Sequence, residues 1–173
     1  MIQNQIIIKI ITVLMLSLCI LGCRKPYEEL FLQRMDYTGN ELRTDGYYYY
    51  QNENRIVVYF LFRNGIFRSC GSPPSIKDFE NRDNPCSGNT SKIGWGVFIV
   101  EKDIIKYEVW NGSPGFETLP TIISEGKILN DTTFHITLSY HQDGSDRRER
   151  NDIYHFRQFI SKPDSTVAYK WIK

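Results

Sequence analysis

Residues 121–140 read TIISEGKILNDTTFHITLSY. Asn130-Asp131, a pair of turn formers, separates two runs rich in β-branched and aromatic residues, 121–129 and 132–140, which marks a hairpin. In the second run Phe134, Ile136, Leu138 and Tyr140 alternate with Thr133, His135, Thr137 and Ser139. That period of two is the pattern of a strand with one buried face. The reading extends upstream. Residues 93–101 and 104–110 flank a tight Lys102-Asp103 connection, and Ile105, Tyr107 and Val109 alternate with Lys106 and Glu108. Asn64-Gly65, a strong short hairpin signal, joins 55–63 to 66–69. Residues 56–62 are apolar on both alternating faces, as in a strand covered on both sides.

The remaining segments complete a meander. Asp45-Gly46 opens a first strand over 45–51, which carries Tyr47-Tyr48-Tyr49-Tyr50. Ser75 is placed to cap a short helix over 76–81, with Asp78 and Glu80 in its early turns. Residues 81–91 and 111–120 read as loops. The charged stretch 141–152 reads as a solvated hairpin tip before a strand over 153–160. Lys162-Pro163-Asp164 then leads to a short terminal segment at 167–172. Eight or so short strands with at most one short helix predict an all-β, antiparallel up-and-down meander. Closure removes exposed edges, so a closed or nearly closed barrel is expected over a sandwich.

The N-terminus carries a different message. Residues 10–21 form an apolar run with Thr12 and Ser17 as its only polar members, preceded by a leader holding Lys9. A helix of that length rises about 18 Å, short of the roughly 30 Å of a bilayer core. It reads as a signal peptide. Its close, Ile20-Leu21-Gly22-Cys23, resembles the lipobox of bacterial lipoproteins. The alternatives are an ordinary secretory signal with an incidental cysteine, or an uncleaved anchor. The resemblance implies cleavage before Cys23, a thioether-linked diacylglycerol on its sulfur, and an amide-linked acyl group such as palmitate. Two such attachments hold a protein stably on a membrane. The expected organisation is a signal peptide over 1–22, a lipidated N-terminus and tether over 23–42, and one β-barrel domain over 43–173. The expected address is the cell envelope, on the outer membrane.

Composition bounds the partners. The chain has a net charge of +1, which falls to zero once residues 1–22 with Lys9 are removed. A neutral chain lacks the basic field that nucleic acid requires. With Cys19 in the signal and Cys23 lipidated, Cys70 and Cys86 remain, flanking a Gly/Pro/Ser/Asn-rich excursion. In an oxidising compartment the simplest reading is a disulfide. A redox pair and metal ligands are the rival readings, and neither has C-x-x-C spacing or a neighbouring histidine in its favour.

The quoted motifs also carry a resemblance. Asp45-Gly46-Tyr47-Tyr48-Tyr49, Trp95-Gly96-Val97-Phe98 and the stretch from Gly126 to Phe134 are similar to small lipocalin-like (calycin-type) lipoproteins of Gram-negative bacteria. Gly46 is followed by tyrosines where lipocalins carry Gly-x-Trp. The resemblance implies a barrel and says little about chemistry.

No nucleophile elbow, phosphate-binding glycine loop or cofactor signature is present. His135, His141 and His155 have no i, i+2 or i, i+4 pairing, which argues against zinc. Arg147, Arg148 and Arg150 argue against a calcium loop in the run after Asp143. The leading expectation is a non-enzymatic, membrane-anchored barrel that binds a small apolar ligand, or a protein or glycan through its loops. Tyr48, Tyr59, Trp95, Tyr107, Trp110 and Phe134 are the candidate pocket lining, and the same residues could instead fill the barrel. The alternative is an envelope enzyme assembling His135, His155 and carboxylates from distant positions.

Overall fold

The computed structural model describes residues 29–82, 86, 91–112 and 119–173. Residues 1–28, on which the expected signal peptide and the lipidation site Cys23 fall, and parts of the two long loops lie outside these residues. Eight strands run in chain order: β1 (Gly46–Gln51), β2 (Ile56–Leu61), β3 (Ile66–Ser69), β4 (Trp95–Glu101), β5 (Ile104–Trp110), β6 (Thr121–Asn130), β7 (Thr133–Tyr140) and β8 (Arg148–Gln158). Each pairs antiparallel with its neighbour, and β8 returns to β1 through Gly46↔Gln158 to Tyr49↔His155, closing the barrel. The expected all-β meander is therefore observed, with the ring complete.

The two faces of the wall pack against different things. Inward residues Tyr48, Leu61, Phe67, Phe98, Tyr107, Phe134 and Tyr154 form one apolar cluster across the barrel. Outward residues Tyr47, Val58, Phe60, Trp95 and Val97 form a second. That outer layer is covered by α1 (Ile76–Glu80) through Phe79, and by Ala168 and Ile172 in and just beyond a 3-10 helix at Ser165–Lys170. The apolar character of 56–62 on both faces follows from this double cover. Ser75 caps α1 by accepting from the Asp78 amide, as its position predicts. Two short helices are present where one at most was expected.

Turn chemistry fixes the hairpins. Gly65 sits at φ +74°, and a Cβ there would lie 1.9 Å from the Met35 carbonyl oxygen of the strap crossing above it. Cys70 and Cys86 are joined in a disulfide with a Cα–Cα distance of 4.7 Å. It closes a loop that in the chain-entropy view contributes about 3 kcal/mol. The whole hydrogen-bonded ring, both apolar clusters and this bridge lie within residues 29–173, so that portion carries a complete core.

Two expectations need correction. In the pairing of β7 with β6, the two steps from Ile136 to Leu138 oppose the single step from Gly126 to Glu125. The bulge inserts one residue and reverses the phase of alternation. Leu138 and Tyr140 therefore leave the face of Phe134 and Ile136, and Tyr140 donates to Glu125 Oε2 at 3.0 Å. Second, β8 begins at Arg148, five residues before the expected start, so Arg148 and Arg150 belong to the wall and not to a hairpin tip.

Candidate functional site

One end of the barrel is shut. The segment before β1 folds under it, with the Tyr37 amide donating to the Arg63 carbonyl at 2.7 Å and the Arg43 amide to the Asp131 carbonyl at 3.0 Å. Tyr37 and Leu42 join the inner cluster there, and the Leu42 amide donates to the Tyr37 hydroxyl at 2.7 Å. Above this plug the interior is stacked aromatic. Phe134 lies on Tyr154 at 4.9 Å, Tyr154 on Tyr59 at 4.7 Å, and Phe67 on Tyr107 at 4.3 Å between ring centroids. Burial foremost pushes the hydroxyls of Tyr48, Tyr107 and Tyr154 well above the ordinary tyrosine range.

The other end is open. A cavity of about 560 Å³ occupies it, within the size range of small-molecule sites. Tyr59 and Tyr107 meet in it, the Tyr107 hydroxyl donating to that of Tyr59 at 3.4 Å. Val109, Ile122 and Ile136 add apolar surface, while Ser124 and Ser139 add hydroxyls. Above them stand Arg55, Arg68, Arg148 and Arg150, with Asp146 as the sole acid among the described lining residues.

The arginines are held in different ways. Arg150 faces inward on β8, one pleat above Asp152, to which its Nε donates at 2.9 Å while Nη2 bonds the same oxygen. Burial opposes its charge, and Asp152 outweighs that and holds its pKa above the ordinary value. Arg148 shares Asp146 through Nε at 3.0 Å and Nη2 at 2.9 Å. His141 donates from Nδ1 to the Thr121 carbonyl at 3.0 Å, and its Nε2 lies 3.7 Å from the same Asp146 Oδ2 that Arg148 Nη2 contacts. Arg55 lies over the Tyr50 ring at 6.0 Å and has no acidic partner among the described residues. Arg68 reaches the cavity from the outer layer, sandwiched between the Trp95 ring at 4.5 Å and the Ile93 carbonyl, which accepts from Nη1 at 2.6 Å. It is 3% exposed, its Nε finds no partner, and burial alone lowers its pKa to about 10.

The six expected lining residues divide. Tyr59, Tyr107 and Trp110 line the cavity. Tyr48 and Phe134 belong to the filled interior below it, the Tyr48 hydroxyl donating to the carbonyls of Asp131 at 2.9 Å and Arg43 at 3.2 Å. Trp95 belongs to the outer layer. The interior is thus both filled and hollow, by halves. His135 and His155 project outward from β7 and β8, His135 toward Asn151 Oδ1 at 2.8 Å, and neither touches the cavity. Among the described residues no three His, Cys, Asp or Glu side chains converge to hold a metal.

The four arginines line the cavity without being legible in the sequence as lining residues. A signal for two of them existed: Arg148, Arg150, Asp152, Tyr154 and Phe156 recur at every second residue, so the inward face of the last strand continues upstream as polar groups. The chain matches no family model, no curated protein and no solved structure.

Proposed function

We propose that this protein is a lipid-anchored lipoprotein of the bacterial envelope, lipocalin-like in architecture, whose barrel holds a small molecule at its open end without transforming it. The observation that carries this reading is the cavity itself. The barrel is plugged at one end by Tyr37 and Leu42 and filled to its middle by stacked aromatics, yet it stays hollow at the other end. A chain needing only a stable ring has no use for that asymmetry, because about eight strands enclose a space side chains can fill completely. Supporting the anchor is the lipobox-like Ile20-Leu21-Gly22-Cys23 behind an apolar run too short to span a bilayer.

Native mass spectrometry of residues 24–173, incubated with envelope extract, tests the binding reading. The expected result is an adduct of roughly a few hundred daltons, the size of molecule such a cavity encloses. A bare mass across extracts would refute it and leave the loops, with a protein or glycan partner, as the working surface. For the anchor, Cys23→Ser in the full chain should stall processing or release the protein from membranes. Unchanged retention and processing would show that Cys23 is not lipidated.

A further inference from the structure

The open end is cationic beyond anything an apolar ligand requires. Among the described residues four arginines line the cavity against one acid, Asp146, whose two oxygens are already taken up by Arg148. Arg150 is committed to Asp152. Arg55 and Arg68 have no acidic partner among the described residues. Arg68 is the more telling of the two. A guanidinium is among the groups least often fully buried without a partner, and an uncompensated buried charge is strongly unfavourable. Here one is 97% removed from solvent, given one carbonyl and one indole face, and left with Nε open beside a cavity.

We infer that the ligand carries an oxyanion, a carboxylate or a phosphate, received at the mouth by Arg55, Arg68 and Arg148, with its uncharged body directed toward Tyr59 and Tyr107. The inference rests on the open end being the ligand site. The guanidinium fork matches either oxyanion in two-point hydrogen bonds. Below it, the hydroxyls of Ser124 and Ser139 and the rings of Tyr59 and Tyr107 offer a wall of mixed character suited to a short apolar or aromatic body.

Calorimetric titration of residues 24–173 with octanoate, octyl phosphate, octanol and inorganic phosphate tests this. At least one charged octyl compound is expected to bind about tenfold or more tightly than octanol, the ratio that one charge-assisted contact supplies. Inorganic phosphate binding on its own would assign the site to a free oxyanion. Binding by the octyl compounds alone would assign it to an amphiphile. The double variant Arg55→Gln/Arg148→Gln changes two exposed rim residues and should cost about tenfold in affinity for the charged probe while leaving octanol and the melting temperature unmoved. Arg68→Gln, with Arg68→Lys beside it to separate charge from fold, should weaken the same probe. Octanol binding as tightly as the charged probes, or charged binding indifferent to all the arginine variants, would overturn the oxyanion and leave the cavity reading standing. If none of the four probes binds, the inference also fails, and the cavity reading is then decided by the native mass spectrum.

Discussion

The closed and open halves of the barrel interior are built on the same strands, and only the inward residues distinguish them. β8 gives Tyr154 and Phe156 to the closed half, then Asp152, Arg150 and Arg148 to the open one. β2 gives Leu61 below and Tyr59 above, β6 gives Ile128 below and Ser124 above, and β7 gives Phe134 below and Ser139 above. Antiparallel pairing runs through both halves, broken in β7 by the bulge between Ile136 and Leu138, beyond which Ser139 faces inward. What changes is the work of the side chains. Below, aromatic rings bury their area against one another and hold the fold. Above, small and charged residues leave a space that the ladder and the outer layer must support from outside.

The sharpest way to break that contrast is to empty the closed half. Phe134→Ala should lower unfolding free energy by about 3–5 kcal/mol in denaturant titration, the usual cost of deleting a fully buried aromatic ring. A loss below 1 kcal/mol would mean the stack is not what holds the ring. Next in size is the strut on the open side, since Cys70 lines the cavity rim. Reduction of the Cys70–Cys86 bridge should cost about 3 kcal/mol and lower the melting temperature by several degrees. Freely labelled thiols in the folded, air-exposed protein would contradict the bridge.

A pH series sharpens the contrast further. Tyr48 and Tyr154 are held neutral by burial, with folded pKa values above the unfolded 10.0. Their contribution is complete below pH 10 and is lost as pH rises beyond it, because the unfolded chain then releases protons that the folded one retains. Phenolate absorbance for these rings should therefore appear only with unfolding. Lys162 has the opposite sign. Its ammonium donates to the Thr44 and Leu61 carbonyls and lies 4.4 Å from the centre of the Phe62 ring, and burial lowers its pKa from 10.5 to about 8. Between those values the unfolded chain binds more protons, so stability rises with pH. Relative to Lys162→Met, the native protein should gain stability from pH 8 to pH 10. A constant difference would show that Lys162 titrates normally. Smallest of all, Arg148→Gln at the exposed rim should shift unfolding free energy by less than about 0.5 kcal/mol.

How far the sequence foretells this division depends on the residue. Hairpin turns such as Asn64-Gly65 and Asn130-Asp131 are local, and every strand they join is legible. Apolar alternation is also local, so the closed half shows itself through Tyr48 and Phe134. The open half shows itself only in the alternation of Arg148, Arg150 and Asp152 with Tyr154 and Phe156, because a single polar residue inside a barrel looks the same in sequence as one in solvent. Arg148 and Arg150 read as a solvated tip for that reason. Arg68 lies on the outward face of a strand, and only the neighbouring Trp95 and Ile93 make it buried. The reversed phase beyond Ile136 was hidden too, since a bulge depends on the partner strand's register.

The most direct test fills the open half and leaves the closed half alone. Ser124 points into the cavity, where there is room for a larger side chain. Native mass spectrometry and thermal unfolding of Ser124→Phe, run beside the unaltered protein, should show the adduct gone and the melting temperature essentially unchanged. An adduct that survives with full occupancy would place the ligand elsewhere and contradict the division of the barrel into a half that holds and a half that binds.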